Sequence, residues 1–275
     1  MLNRPIWLAP SVLFMTLFFV LPLLNNFWRS VSEERAENDA LFYYIKLFTE
    51  PYYQEVLFQT LFLSVTVTLI CLILSYPIAF FLVRQSGRWQ GVVVFLLIAP
   101  LLTSVIMRTV GIQMILARRG ALNALFDLLG LPLLPPGISS GSFAVYVGMV
   151  QVLVPFMVLS IAPVLQSIDR TLEDAARILG ADQLKTFVEV TLPLSKNGIL
   201  TGCILVFMMA NGSFVTQLLL GGGKVITMPV LIFQQFNVTQ EAAFAGAMGN
   251  VLLVLCLASL LLQFVLIGRS KRRAI

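Results

Sequence analysis

Six apolar runs separated by polar or turn-rich stretches dominate the chain: Ile6 to Phe27, Leu57 to Val83, Val92 to about Met114, Phe143 to Ile168, Ile199 to Leu220 and Ala243 to Ile267. A helix rises about 1.5 Å per residue and the hydrocarbon layer is about 30 Å thick, so roughly 20 such residues cross a bilayer and every run qualifies. Spanning strands would alternate apolar and polar positions over about ten residues. Runs such as Val251-Leu252-Leu253-Val254-Leu255 do not. The pattern predicts an all-α polytopic membrane protein with six transmembrane helices, folded as one domain over residues 1–275. The first run follows Arg4 as a secretion signal would, but its length and the lack of a small-x-small site after Pro22 predict a retained helix.

Within the runs, Pro77, Pro100, Pro155 and Pro163 remove backbone donors and are expected to kink their helices, as suits spans that move. Between them, residues 30–56 are acidic and aromatic, with a surface helix expected at about Leu41 to Phe48. Residues 117–142 carry the turn-rich Leu131-Pro132-Leu133-Leu134-Pro135-Pro136-Gly137. Gly221-Gly222-Gly223-Lys224 reads as a flexible link between the last two spans. A phosphate loop would need glycine at Leu218 and a hydroxyl residue at Val225.

The segment from Asp169 to Lys196 differs in kind. Thr171 is placed to cap a helix in which Leu172, Ala175, Ala176 and Leu179 recur at helical spacing, Glu173 and Asp174 occupy the first turn, and Gly180 ends it. A second helix, about Ala181 to Val190, is expected to close at Leu192-Pro193 before the fifth span. The result is a short helix-turn-helix with small residues on one face, shaped for close approach by another protein.

Composition agrees with the pattern: 59% of 275 residues are hydrophobic, 11% are charged, and the mean hydropathy is +0.93, against roughly 25% charged residues in soluble domains. Orientation follows from where Lys and Arg sit near span ends. With the N-terminus inside, Arg4, Arg84, Arg88, Arg170, Arg177, Lys185, Lys196, Arg269, Lys271, Arg272 and Arg273 are cytoplasmic. The outside then holds Arg29, Arg35, Lys46, Arg118, Arg119 and Lys224, plus Arg108 near a span end, together with the acids Glu33, Glu34, Glu37, Asp39, Glu50 and Glu55. Both termini are therefore expected in the cytoplasm. The net charge of +5 reflects positive inner loops and implies no nucleic-acid partner.

Cys71, Cys203 and Cys256 fall singly within spans in a chain without histidine, and read as packing residues. Trp7, Trp28, Trp89, Tyr43, Tyr44, Tyr52 and Tyr53 lie near span boundaries, where amphipathic rings anchor a protein in the headgroup layer. Polar residues inside spans are costly and mark a pathway. The set here is Ser104 and Arg108 on the third span and Asn211, Ser213 and Gln217 on the fifth, with Ser213 and Gln217 on one helical stripe. Helix–helix hydrogen bonding and snorkelling of Arg108 are the structural alternative.

Asp174-Ala175-Ala176-x-x-x-Gly180, nine residues, then Val190-x-Leu192-Pro193 resembles the EAA loop of membrane subunits of bacterial ABC importers, whose consensus is Glu-Ala-Ala-x-x-x-Gly, nine residues, Ile-x-Leu-Pro. Asp174 and Val190 stand where the consensus has Glu and Ile, and Glu173 offers a second acid beside the first. Arg119-Gly120-Ala121-Leu122-Asn123, Val154-Pro155-Phe156-Met157-Val158-Leu159, Ser213-Phe214-Val215-Thr216 and Leu219-Leu220-Gly221-Gly222 are similar to segments of the spermidine/putrescine-type branch, on the side of its first permease subunit.

The resemblance implies a type I ABC importer permease fold in a bacterial inner membrane, with residues 169–196 as the cytoplasmic coupling loop. It implies a second, non-identical permease subunit, two copies of a cytoplasmic ATPase holding ATP-Mg, and an extracytoplasmic binding protein, with no cofactor and no enzymatic step on this chain. Glu173, Asp174, Ala175, Ala176, Arg177, Gly180, Ala181 and Lys185 would meet the ATPase, and Leu192-Pro193 would set the exit into the fifth span. The expected cargo is a polyamine, with an amino-acid-like amine or a phosphonate as the alternative. A secondary transporter would need a relay of intramembrane acids, and a membrane enzyme a histidine or paired carboxylates; the spans offer neither.

Overall fold

The computed structural model describes residues 9–32, 41–84, 87–132, 135 and 138–272. In chain order the helices are α1 (Ala9–Met15), a π-helical turn (Thr16–Val20), α2 (Leu21–Ser32), α3 (Phe42–Thr49), α4 (Pro51–Arg84), α5 (Arg88–Leu102), α6 (Val105–Leu116) and α7 (Ala121–Leu128). They continue with α8 (Ser142–Gln166), α9 (Arg170–Ile178), α10 (Gln183–Thr186), a second π-helical turn (Phe187–Thr191), α11 (Leu192–Asn211), α12 (Val215–Gly221), α13 (Met228–Asn237) and α14 (Ala242–Arg272). No strand occurs among the described residues.

Among the described residues five helical stretches are long and apolar enough to cross a membrane: Pro10–Ser32, Pro51–Arg84, Ser142–Gln166, Gln183–Asn211 and Ala242–Leu261. A sixth exists only if Trp89–Leu102 and Val105–Leu128, bent by 109° at Thr103-Ser104, are taken as one broken span. The third apolar run is thus not one helix. Pro100 lies in the last turn of α5 and the Thr103 backbone is extended, so the chain restarts as α6. Pro77, Pro155 and Pro163, by contrast, sit inside unbroken helices.

The fifth run also departs from expectation. Helix α11 stops at Asn211, and Gly212 to Phe214 separate it from α12, because Asn-Gly-Ser joins three weak helix formers. Ser213 and Gln217 therefore do not share a helical stripe. In the link to the last span Gly222 and Gly223 take positive φ, and a helix, α13, follows before α14, which the sequence did not lead us to expect.

The chain forms two compact units, one of the described residues up to Phe58 with Met228–Leu255, the other of Gln59–Thr227 with the residues from Cys256 onward. In the first, Tyr43 stacks on Phe244 at 5.7 Å and Tyr53 meets its edge at 5.0 Å. Both tyrosines are buried, so they pack a core rather than anchor an interface. Trp28 and Trp89 are exposed, as anchors should be; Trp7 lies outside the described residues. Asn26 and Asn250 join α2 to α14 through a 3.0 Å bond, and Asn250 also donates to the Tyr44 hydroxyl at 2.9 Å.

In the second unit α8 is the centre, packing on α5, α6, α11 and α12. Its contact with α11 is close because Gly198 and Gly202, four residues apart, leave room: a methyl group at Gly198 would sit 3.0 Å from Val164, and one at Gly202 2.6 Å from the Met157 sulfur. Small residues at this spacing let membrane helices approach where no hydrophobic drive exists. Cys71 is buried on the Val150 carbonyl, and all three cysteines are free thiols.

Candidate coupling site and pathway residues

Helix α9 begins two residues earlier than the sequence suggests. Asp169, not Thr171, is its N-cap: the carboxylate accepts the Thr171 backbone N–H at 3.0 Å. That bond, with help from the Thr171 hydroxyl, holds the Asp169 carboxyl below its ordinary value. The helix ends in a left-handed turn at Gly180, φ 90°. The Gly180 N–H bonds the Arg177 carbonyl and the Ala181 N–H bonds the Ala176 carbonyl, both at 3.0 Å, which is the Schellman pattern. The four-residue step from Ala176 to Gly180 in the motif is thus the geometry of a helix C-terminus.

Asp182 caps α10 through the Lys185 N–H at 2.7 Å. The helix does not close at Leu192-Pro193 as expected; it runs from Gln183 to Asn211, and Pro193 sits in the first turn of α11. The π-helical turn Phe187–Thr191 lies directly upstream and contains Glu189, whose carbonyl the Pro193 ring would otherwise crowd.

The acids separate sharply. Glu173 is buried, accepting the Arg84 guanidinium at 2.6 Å and the Thr191 hydroxyl at 3.1 Å, both on Oε1. Asp174 is exposed. Ala175, Arg177, Gly180 and Lys185 are exposed with it, Ala176, Ala181 and Leu192 are half-buried, and Pro193 is exposed. Around them stand exposed apolar side chains: Ile178 is 85% exposed, Leu179 88% and Leu184 74%. A cavity of about 590 Å³ lies beneath, lined by Phe80, Arg84, Arg170, Glu173, Asp174, Arg177, Gln183, Leu184 and Phe187.

Arg84, Thr191 and Phe187 were not singled out by sequence. Arg84 and Glu173 lie 89 positions apart, and a single chain carries no signal that pairs them.

The pathway residues scatter. Arg108 borders a groove of about 1240 Å³ with Thr66, Thr103, Tyr146 and Gln151, and also a cavity of about 230 Å³ that includes Ser213 and Met209. Its Nη1 donates to the Pro100 carbonyl at 2.6 Å and so closes the broken end of α5, while Nε has no partner among the described residues. Ser104 is exposed at the break. Gln217 is fully buried, donating to the Ala210 carbonyl at 3.3 Å and accepting the Thr227 hydroxyl, and Asn211 donates to the Phe207 carbonyl at 3.0 Å. The last two are tied into helix packing; Arg108 and Ser213 meet at one cavity.

A set of long apolar helices with a patterned polar loop between two of them is the arrangement of a multi-pass membrane protein. Residues 5–272 match the family of binding-protein-dependent transport system inner membrane components, and the chain belongs to it. It is 37% identical over 222 residues, 78% of this chain and 81% of the relative, to the spermidine/putrescine transport system permease protein PotB of Escherichia coli (strain K12). It is 34% identical to the protein of that name from Haemophilus influenzae, over 77% of this chain and 74% of the relative. In fold it is similar to a chain of a bacterial alginate ABC transporter solved with an alginate pentasaccharide-bound periplasmic protein, with TM-score 0.78, 15% identity, and 94% and 91% of the two chains covered. This chain is accordingly a membrane permease subunit of an ABC importer and not an enzyme, the ATPase being a separate subunit.

Proposed function

We propose that the chain is one of two non-identical permease subunits of a polyamine importer in a bacterial inner membrane, with both termini and residues 169–196 in the cytoplasm. Asp174, Ala175, Ala176, Arg177, Gly180, Ala181 and Lys185 form the surface that seats in a groove of one of two ATPase subunits, and the continuous helix through Leu192-Pro193 joins that surface to α11. The observation that carries this is the exposure of Ile178, Leu179 and Leu184 beside the Gly180 turn: large apolar side chains gathered at one spot mark an interaction surface. ATP-Mg closes the ATPase pair, the loop moves with it, and the spans open a path for solute delivered by an extracytoplasmic binding protein.

Spermidine or putrescine is the cargo that the similar permeases carry by name. Cargo selection falls to the binding protein or the second permease, because the large groove is lined by apolar and neutral polar groups and one cation. That cation, Arg108, favours an anionic solute such as a phosphonate as the second reading. Both are tested by reconstituting the permease pair, the ATPase and the binding protein in liposomes and measuring ATP-dependent uptake. Saturable spermidine or putrescine uptake that needs the binding protein is expected; phosphonate uptake alone would turn the assignment to the second reading, and no ATP-dependent uptake of any solute would overturn both.

A further inference from the structure

Helix α4 carries Tyr76, Phe80 and Arg84 four residues apart, one stripe of its surface, and all three grip the segment that follows α8. Tyr76 meets the Phe187 ring edge-on at 5.5 Å and donates to or accepts from the Ser195 hydroxyl at 2.9 Å. Phe80 meets the same Phe187 ring in a T-shaped contact at 6.0 Å. Arg84 holds Glu173 of α9 at 2.6 Å, and Thr191 of the π-helical turn joins the same carboxylate oxygen. A return contact runs from Arg170, whose guanidinium donates to the Val83 carbonyl at 3.1 Å. The side chains of Arg84 and Glu173 are only 9% and 10% exposed.

We propose that this stripe is the joint through which the loop moves α4, and that Glu173 is a positioning residue that yokes α9 to the span rather than a docking contact. The proposal rests on the coupling reading of residues 169–196 and deepens it. A covalent lever alone would pass displacement of α9 only to its flanking helices, α8 and α11, which are continuous with it in the chain. The pair adds a third, non-adjacent helix. A buried, charge-assisted bond suits that task because its two charges cannot separate without leaving each one desolvated, so the partners move together. Phe187, wedged against two rings of α4, resists the same separation from the π-helical turn.

The test uses the whole importer in liposomes, with solute moved per ATP hydrolysed as the readout and co-purification of the ATPase as the control for docking. Glu173→Gln keeps the shape and removes the charge. It is expected to co-purify with the ATPase at the wild-type level while solute moved per ATP falls about ten-fold, the size of an ordinary coupling term. The exchange Arg84→Glu with Glu173→Arg is expected to recover part of that ratio, which a purely structural role would not require. Tyr76→Phe, which removes only the bond to Ser195, serves as the second variant should the exchange not fold, and is expected to lower the ratio by a smaller factor.

Loss of ATPase co-purification in Glu173→Gln would overturn the proposal in favour of direct docking. An unchanged ratio in both Glu173→Gln and Tyr76→Phe would overturn it outright. If the wild-type importer itself showed no ATP-dependent uptake, the failure would belong to the coupling reading and not to the joint.

Discussion

Two buried polar clusters in the same unit show opposite uses of polarity. At Arg84–Glu173–Thr191 full charges meet at the end of α4, where the chain leaves its apolar run. At Gln217–Thr227–Ala210 only neutral groups meet, beside the break between α11 and α12. Both pair buried polar groups, although the Arg84 Nε is left without a partner among the described residues. The charged one binds a polar loop to a span, while the neutral one braces an interruption among packed helices. The difference follows from composition: the loop of residues 169–196 supplies ionised side chains, whereas the residues around the α11–α12 break are neutral.

The largest expected effect tests the charged side. Glu173→Ala leaves Arg84 without its counter-charge and is expected to cost about 3–5 kcal/mol, read as a fall in the thermal unfolding midpoint of the purified protein. A loss under about 1 kcal/mol would mean that the pair is already solvated and would erase the contrast. Next comes Gln217→Leu, which strands the fully buried Thr227 hydroxyl and is expected to cost about 1–3 kcal/mol. Adding Thr227→Val to it should recover part of that loss, whereas no compensating change should rescue Glu173→Ala except one at Arg84.

Gly180→Ala probes the loop alone. With φ at 90° and nothing within 4 Å of an added methyl group, the substitution meets backbone strain and no clash, a cost of about 1 kcal/mol confined to the end of α9. Gly222→Ala should cost more, since the added carbon would also lie 2.9 Å from the Ser140 side chain. The smallest effect belongs to Asp169. Its carboxyl is held low by the Thr171 N–H, so its capping contribution is complete above the ordinary carboxylate range and is lost as pH falls through the lowered value. A spin label on Leu172→Cys should therefore gain mobility in acid, and Asp169→Asn, which keeps an acceptor oxygen, should remove that pH dependence.

The same contrast explains what the sequence disclosed. The loop was legible because its helix ends follow local rules: Gly180 stops α9, and the step back to Ala176 is set by hydrogen bonds within six residues. The spans were legible as apolar runs, and α3 appeared where expected. What stayed hidden depends on distant partners or on geometry that composition does not encode. Asp169 and Thr171 are equally good caps on paper, and only the fold chooses between them. The 109° bend at Thr103-Ser104 and the break at Gly212 lie inside runs apolar enough overall to read as single spans, and their polar residues, Ser104, Asn211 and Ser213, read there as pathway groups rather than as helix breaks. Gly198 and Gly202 read as two glycines among many until α8 is placed against them. Tyr43 and Tyr53 look like interface anchors by position, and become core residues because Phe244 folds back onto them.

Glu173 is the sharpest instance. Beside Asp174 in sequence it is an equivalent acid; in the fold one faces Arg84 and the other faces outward.

The outward face carries the central claim, and cysteine cross-linking in the assembled importer tests it most directly. With Cys71, Cys203 and Cys256 replaced by alanine, single cysteines at exposed Ala175 and exposed Lys185 should cross-link to the ATPase subunit, in a yield that changes when ATP is added. A cysteine at exposed Phe95, on the apolar surface of α5, should give no such product. Cross-linking at Phe95 but at neither loop position would contradict the assignment of residues 169–196 as the coupling surface.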